Sequence, residues 1–298
     1  MKRGPQGGYT KEFREEAVKL VMEGKLELPE AARRLSLPPS TLGNWIKAYK
    51  EGRLEVEIRA AHRRNRQVCG AETLQLDLAE HSVRVRVRRI KRIRSKLGIR
   101  CKQKRKFKAT TDSRHTLPVA ENILGLRFAV AEPNKVWVSD ITYVPTDEGW
   151  LYLAGHKDLF SGSIVGYAMG ERLTRNLVSQ SLFRALETKR PAEGLLHHSG
   201  RGSQYCSHEF RNILARHGLT ASMSRKGNCY DNAPMESFWG TLKQKLVHHR
   251  RYRTRQEAIR DITEYIEVFY NRQRRQARLG YLSPAVYEQR YYAGVLAA

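Results

Sequence analysis

The sequence predicts a multi-domain protein with an all-α N-terminal region, a basic helical middle region and a C-terminal α/β domain built on a mixed five-stranded sheet. Three observations favour this architecture. Apolar residues recur at helical spacing in the first fifty positions, fourteen Lys or Arg and no Asp or Glu lie between residues 81 and 110, and strand and helix patterns alternate after residue 133. The predicted domains are residues 1–55, 56–130 and 131–293.

The charge balance narrows the class of partner. The 298 residues hold 55 Lys and Arg against 30 Asp and Glu, a net charge of +25 that predicts binding to a polyanion. No apolar run is long enough to span a membrane, and the start, MKRGPQGGYTKEF, lacks the apolar stretch of a secretory signal. Four distant cysteines without a C-x-x-C pair indicate reduced structural thiols. We therefore expect a cytoplasmic protein that faces nucleic acid and has no membrane partner.

The N-terminal region has the pattern of three helices. Thr10 is a candidate cap for the first, residues 29–35 fit a second with proline in its first turn, and Ser40 is a candidate cap for the third. Apolar residues at helical spacing in the first and third are Phe13, Ala17, Leu20, Val21, Leu42, Trp45, Ile46 and Tyr49. Two helices, a tight turn at residues 36–39 and a final helix follow the plan of a helix-turn-helix DNA-binding domain.

In that plan the last helix enters the major groove of DNA. The candidate DNA-contacting residues are then Arg33, Arg34, Ser40, Thr41, Asn44 and Lys47. The alternative is a plain three-helix bundle whose basic face is only solvated, and the pattern leaves both interpretations open.

The basic middle region is ambiguous between strand and helix. Residues 83–87 alternate like a strand, yet Val87, Ile90, Ile93 and Leu97 before Gly98 fit a helix that ends at glycine, which we favour. Residues 102–108 form a basic arm whose charges would repel one another unless they lay along a phosphate backbone. A solvated linker is the alternative for this arm.

From residue 136 onward the strand and helix signals are stronger. The predicted strands are residues 136–144, 150–159, 164–169, 195–198 and 220–223, and the predicted helices are residues 174–187, 209–217 and 234–247. Three strands, helix, strand, helix, strand, helix is the order of a ribonuclease H-like sheet.

Two acids in this domain are candidate site residues. Asp140 stands alone inside the apolar strand 136–144, where a charge costs free energy unless it is paired, so it is either a metal ligand or a buried hydrogen-bond anchor. Glu236 lies one turn into the predicted helix 234–247. A glutamate is also common near the start of a helix for a purely structural reason, because the positive end of the helix dipole stabilises its charge.

Longer sequence motifs around these acids resemble those of a known family. V-W-V-S-D-I-T-Y at 136–143, H-S-G-R-G-S-Q-Y at 198–205 and S-R-K-G-N-C-Y-D-N-A-P-M-E-S-F-W-G at 224–240 closely resemble insertion-sequence transposases with a retroviral-integrase-like core. Y-N-R-Q-R at 270–274 and L-G-Y-L-S-P at 279–284 match the C-terminal words of the same family. The likeness covers about residues 115–290, and the helix-turn-helix also fits.

The resemblance implies phosphoryl transfer on DNA by two Mg²⁺ or Mn²⁺ ions held by an Asp, a second Asp and a Glu 36 positions later. Asp140 matches the first position and Glu236 the third, as catalytic residues and metal ligands. The second position falls on Gly200, where the family word reads H-S-D-R-G. Glycine offers no ligand, so this departure from the family leads to the hypothesis of a transposase fold with little or no strand-transfer activity. Asp158 and Asp231 are candidate substitutes, although both have ordinary structural uses.

Two further departures from the family point the same way. The family has a leucine zipper after its helix-turn-helix, which supports a homo-oligomer, but here only Leu54 and Ile58 hint at heptads. Gln276 stands where the family motif Y-N-x-x-R-x-H has histidine.

Two basic residues of the core are candidate DNA contacts. They are Lys243, two turns after Glu236, and Arg201, beside Gly200. The alternatives are a solvated lysine and an arginine that closes its loop.

The sequence therefore supports competing functions. The first is an insertion-sequence transposase that binds double-stranded DNA at element ends and target and catalyses metal-dependent cleavage and strand transfer, impaired here at Gly200. The second is a catalytically inactive DNA-binding relic or competitor of an active transposase. A nuclease of ribonuclease H type is a weaker third, and any of them would act in the bacterial cytoplasm at the nucleoid.

Overall fold

A computed structural model describes residues 9–24, 26–101 and 117–297 of the chain. Contacts divide the protein into two compact units, Met1–Cys101 and Lys102–Ala298. The basic arm predicted at residues 102–108 lies outside the described residues. Among the helices described, none is both long and apolar enough to cross a membrane.

The first unit is all-α, as predicted. Its helices are α1 (Lys11–Met22), α2 (Leu28–Arg34), α3 (Pro39–Arg64), α4 (Ala71–Glu80) and α5 (Val87–Lys96). The predicted cap of α1 is confirmed, because the Thr10 hydroxyl accepts the N–H of Phe13 at 3.3 Å. The preferred helical interpretation of the middle region is confirmed by α5, which is followed by Gly98 at a φ of +64°.

The prediction that Ser40 caps the third helix is wrong. Helix α3 begins at Pro39, behind Pro38, and has no side-chain cap. Proline at the first helical position has its φ already set for a helix and lacks the N–H that a cap would satisfy. The helix therefore starts one residue earlier, and Ser40 lies in its first turn.

Helix α3 is shared by two small apolar cores. Its first half packs Leu42 and Ile46 against α1 and α2, and its second half packs Leu54 and Ile58 against α4 and α5. The predicted domain boundary at residue 55 thus lies inside α3. Because Leu54 and Ile58 are buried within the unit, the two residues that hinted at heptads fill an internal core.

The second unit contains the predicted mixed five-stranded sheet. Its strands are β1 (Val136–Thr146), β2 (Gly149–Asp158), β3 (Ile164–Gly170), β4 (Leu196–Ser199) and β5 (Thr220–Met223). Their order across the sheet is β3-β2-β1-β4-β5. Strands β1, β2 and β3 pair antiparallel, whereas β4 and β5 run parallel to β1, so β1 is central.

Helices cover both faces of this sheet. They are α6 (Arg175–Lys189), α7 (Ser203–Cys206), α8 (His208–Arg216), α9 (Ala233–Lys245), α10 (Arg255–Glu264) and α11 (Pro284–Ala297), with a π-helix at Tyr265–Gln273. Trp137 of β1 packs with apolar residues of α6 and α8 on one face. Helix α9 packs against β1 and β2, with Met235 and Trp239 against the other face at Gly155.

Candidate active site and nucleic-acid interface

Asp140 lies in the middle of the central strand. It is half-buried and pairs in register with Gly155 of β2. Residues that pair across neighbouring strands point to the same face of a sheet, so Asp140 shares its face with Gly155.

Gly155 allows α9 to approach that face closely. A Cβ at this position would lie 3.0 Å from both Met235 Cε and Trp239 Cη2, a distance too short for ordinary packing. An interior glycine in a strand commonly marks such an approach. Because Glu236 follows Met235 in the first turn of α9, the missing side chain at Gly155 brings Glu236 to the Asp140 face.

Two hydrogen bonds fix the start of α9 on the sheet. The side-chain amide of Asn232 donates to the carbonyl of Ser139 at 3.0 Å. The buried ammonium of Lys157 donates to the carbonyl of Pro234 at 2.9 Å. Sequence reasoning missed both residues as positioning groups, since polar residues flanking a turn give no signal of what they bind.

Burial disfavours the charged form of both candidate carboxyls. Burial raises the pKa of Asp140 to about 7, and the Glu236 carboxylate acts in the same direction. The N–H of Ile141, the Trp239 indole and the Lys243 ammonium oppose that rise. Burial also raises the pKa of Glu236. A divalent cation would reverse both effects, so the donor chemistry of this pair suits a hard ion such as Mg²⁺.

Lys243 lies at the same site. Its ammonium is 4.9 Å from the centre of the Tyr143 ring on β1, and its side chain is half-buried. Burial lowers the pKa of Lys243, whereas Asp140 raises it, which places the two charges within electrostatic reach. The other candidate of the core, Arg201, is half-buried in the turn after β4.

Gly200 follows the end of β4 and lies beside Asp140 of the parallel strand β1. Ser199 pairs with Ser139, and Gly200 follows Ser199 as Asp140 follows Ser139. A Cβ at Gly200 would meet no atom within 4 Å, and the backbone there is outside the left-handed region. The fold therefore does not require glycine here, and an aspartate would have room beside Asp140.

The two candidate substitute ligands are already engaged. Asp158 accepts hydrogen bonds from the N–H and hydroxyl of Ser161 and the N–H of Asn134, at 2.6–3.0 Å. Buried Asp231 accepts three hydrogen bonds from Arg225, at 2.7–3.1 Å. Within the described residues, no three His, Cys, Asp or Glu side chains are grouped to hold a metal ion.

The neighbouring histidines His197 and His198 face different surroundings. The His198 ring bonds to the hydroxyls of Ser222 and Ser224 at 2.9 and 3.2 Å. The His197 ring packs 5.1 Å from His156 and 5.5 Å from Phe210, centre to centre. Burial lowers the pKa of His197 to about 3 and of His198 to about 4, so both are neutral parts of the core.

The candidate DNA contacts of the first unit form an exposed surface. Ser40, Asn44 and Lys47 are exposed on one side of α3, and Thr41 is half-buried. Arg33 and Arg34 are exposed as well, but both pair with Glu30 of the same helix, Arg34 Nε at 2.9 Å. Part of their charge is therefore already neutralised.

Comparison with known proteins identifies the family. Integrase core domain models match residues 130–229 and 236–291, and a transposase model matches residues 6–74. An insertion element IS600 uncharacterized 31 kDa protein of Shigella sonnei is 55% identical over 255 residues, which cover 84% of this chain and 94% of that protein. The chain belongs to the insertion-sequence transposases.

A second relative is itself named as a transposase. Transposase InsF for insertion sequence IS3A of Escherichia coli is 39% identical over 236 residues, covering 79% of this chain and 82% of that protein. Among solved structures, the HTLV-2 integrase catalytic core domain in complex with magnesium aligns with a TM-score of 0.43 and 15% identity, over 54% of this chain and 99% of that one.

The matched segments of the transposase contain the candidate site. Asp140 and Gly200 lie in the first integrase core segment, and Glu236 is the first residue of the second. The helix-turn-helix residues lie in the transposase segment.

The transposase also has a basic groove, and Lys47 is the one sequence-based candidate among its lining residues. Its volume is about 960 Å³, and it lies within the first unit between α3 and the start of α5. Its lining residues are Gly43, Ile46, Lys47, Lys50, Glu51, Arg86, Arg88, Arg89 and Arg92. The charge run was visible in the sequence, but only the packing of α5 against α3 brings it beside Lys47.

Proposed function

We propose that this transposase binds double-stranded DNA at the ends of its insertion sequence, holds one divalent cation at Asp140 and Glu236, and is impaired in strand cleavage and joining by Gly200. The observation that carries the proposal is the pairing of Ser139 with Ser199, which leaves Asp140 without a carboxylate beside it at Gly200. DNA in the bacterial cytoplasm is the partner.

The donor set fits one Mg²⁺ or Mn²⁺ and not two. Two carboxylates with raised pKa values suit a single hard cation, since Mg²⁺ is commonly bound by one or two carboxylates and completed by water and phosphate. A second ion would need a carboxylate near Gly200, and Asp158 and Asp231 are bonded elsewhere. When bound, the cation neutralises charge on the phosphate.

The chain's own residues would position the DNA. Lys243, held over Tyr143 near Asp140, is placed to contact a phosphate next to the carboxylates. The exposed surface of α3 and the basic groove supply further phosphate and base contacts. Leu54 and Ile58 are buried in the first unit, so a zipper at these positions is not part of the proposal.

The second candidate function is a non-catalytic DNA binder that occupies element ends and competes with active enzyme. Gly200 favours it, because removing one member of a catalytic group that acts as a unit removes most of the activity. Under this alternative the cation has no role in binding DNA.

The deciding experiment compares wild type with Gly200→Asp in strand cleavage and joining of element-end DNA with Mg²⁺ or Mn²⁺. Because position 200 is open, the aspartate should fold normally and raise turnover on the order of a thousandfold. Gly200→Asn is the matched control, since it adds nearly the same side chain without the charge. Wild-type turnover equal to that of Gly200→Asp would overturn the proposed impairment.

Calorimetric titration with Mn²⁺ gives an independent test of the cation site. We expect about one ion per wild-type chain and about two for Gly200→Asp in the presence of DNA. Wild type that binds DNA but no Mn²⁺ would support the non-catalytic binder instead.

A further inference from the structure

Tyr230 presents an aromatic ring to solvent on the turn that leads into α9, the helix that carries Glu236. Its exposure, 71%, is the highest among the large hydrophobic side chains that the structure describes. A single exposed apolar residue is ordinary on a protein surface, so exposure alone carries no conclusion. The anchoring of Tyr230 and the charges around it set this residue apart.

The backbone that carries Tyr230 is fixed on both sides. Its N–H donates to the Asn228 side chain at 3.0 Å. Asp231, the next residue, is fully buried and bonded to Arg225, and Asn232 bonds to the carbonyl of Ser139, the neighbour of Asp140. The ring is therefore exposed on an anchored turn that is tied to the catalytic strand.

The surroundings of this ring are basic. Arg225 and Lys226 are both exposed on the same turn. Asp231 is the acid of this turn, and its charge is compensated by Arg225, whose side chain remains 56% exposed. An exposed aromatic ring on an anchored turn that also carries cations is a composition with which proteins bind unpaired nucleic-acid bases, through stacking and phosphate contacts together.

The ligand must offer an open base face. Inside a duplex each base is covered by its neighbours, so only an unpaired base or the last pair of a duplex end can stack on a protein ring. We propose that Tyr230 stacks on an open-faced nucleobase of the DNA strand whose phosphate lies at Asp140 and Glu236. This inference rests on the proposed function, because it requires DNA at that site.

The test uses full-length protein and three short duplexes that carry the fluorescent base 2-aminopurine. The base is placed in a single-stranded 3′ overhang, at a blunt end or in the duplex interior. Wild type should quench the overhang or blunt-end probe and leave the interior probe unchanged. Tyr230→Ala should abolish the quenching and weaken binding of the quenched probe about tenfold, whereas Tyr230→Phe should retain both.

Tyr292→Ala is the matched control, because it removes an exposed aromatic ring on α11. It should leave quenching and affinity at wild-type values. Quenching of the overhang alone assigns the ligand as an unpaired base, and quenching of the blunt end assigns it as a terminal pair.

Failure of the inference is distinguishable from failure of the proposed function. Wild type that binds none of the three duplexes in a mobility-shift assay would overturn both. Wild type that binds DNA with the same quenching as Tyr230→Ala would overturn the stacking role alone. A change in oligomeric state in Tyr230→Ala, with unchanged quenching, would also overturn it and assign the ring to a protein contact.

Discussion

The two units of the chain differ in how many acidic, basic and histidine side chains they bury, since the first buries only His62 and Asp77 among its described residues. The first unit has two apolar cores and carries its arginines and lysines mainly at the surface, where Lys47, Arg88 and Arg89 are exposed. The second unit buries ionisable side chains, among them His156, Lys157, Asp158 and Asp231. Exposed charges contribute to DNA affinity in small, similar steps, whereas each buried group depends on one particular partner. A single substitution should therefore matter far more in the second unit.

The largest expected effect sharpens this contrast at the carboxylate pair. In the Gly200→Asp background, Glu236→Gln should lower strand cleavage on the order of a thousandfold, because it removes one ligand of a group that acts together. Glu187→Gln, which changes an exposed acid of α6, is the control and should leave cleavage unchanged. Cleavage by the Glu236→Gln double variant at the rate of its parent would exclude Glu236 as a ligand.

The next effect is acid sensitivity of the second unit. Folding lowers the pKa of His156, His197 and His198 through burial, so the unfolded chain binds protons that the folded chain does not. Below the ordinary histidine pKa of about 6.5, each of these histidines should therefore lower the free energy of unfolding by about 1.4 kcal/mol per pH unit, against an opposite contribution from Asp140, whose pKa folding raises to about 7. For His198 this loss continues to about pH 4.

Urea unfolding between pH 7 and pH 5 measures this slope. His197→Phe removes one titrating group, so it should reduce this slope by about 1.4 kcal/mol per pH unit. The free energy of unfolding at pH 7 should stay unchanged, because the buried Nε2 of His197 has no hydrogen-bond partner in the described structure. The same change at exposed His217 is the control. An unchanged slope in His197→Phe would contradict a neutral buried His197.

A smaller effect distinguishes a buried ion pair from an exposed one. Asp231→Asn should lower the free energy of unfolding by about 2 kcal/mol, since the buried side chain loses charged hydrogen bonds from Arg225. Asp147→Asn breaks an exposed pair with Arg251 at 3.2 Å and should cost less than about 1 kcal/mol. Equal losses of unfolding free energy in the two variants, measured with urea at pH 7, would contradict this difference between the buried and the exposed ion pair.

The side-chain hydrogen bond from Arg225 holds the pKa of Asp231 below its usual range. Its stabilising contribution is therefore complete above about pH 4 and is lost as the pH falls through the lowered pKa. The difference in unfolding free energy between wild type and Asp231→Asn should therefore become smaller when urea unfolding is repeated below about pH 4.

The smallest effects belong to the exposed charges of the first unit. Glu30→Gln frees Arg33 and Arg34 and should strengthen binding to duplex DNA a few-fold, about twofold to fivefold. Lys47→Ala should weaken it by a similar factor and reduce the slope of log affinity against log salt by about 1. Binding isotherms at several salt concentrations measure both, with Lys11→Ala, a lysine on α1, as the control. An unchanged slope for Lys47→Ala would place Lys47 away from the phosphates.

Local patterns predicted much of the architecture. Thr10 is predictable as a cap because the residue whose N–H it accepts, Phe13, is three positions away, and the five strands of the sheet are predictable from their apolar runs. The start of α3 was missed at Ser40, because two adjacent prolines set the backbone before a polar cap was needed. The roles of Asn232 and Lys157 had no local signal, since their partners, Ser139 and Pro234, are 93 and 77 positions away.

The sequence by itself determined the family, the basic character and the glycine at position 200, which the proposed function treats as a missing carboxylate, because each is a property of residue identity and order. Only the tertiary structure decided that Gly200 lies beside Asp140 in open space, that Asp158 and Asp231 are bonded elsewhere, and that α5 joins α3 in a basic groove. The physical reason is that charge and pattern are set along the chain. Burial, register and the distance between groups arise only when strands pair and helices pack.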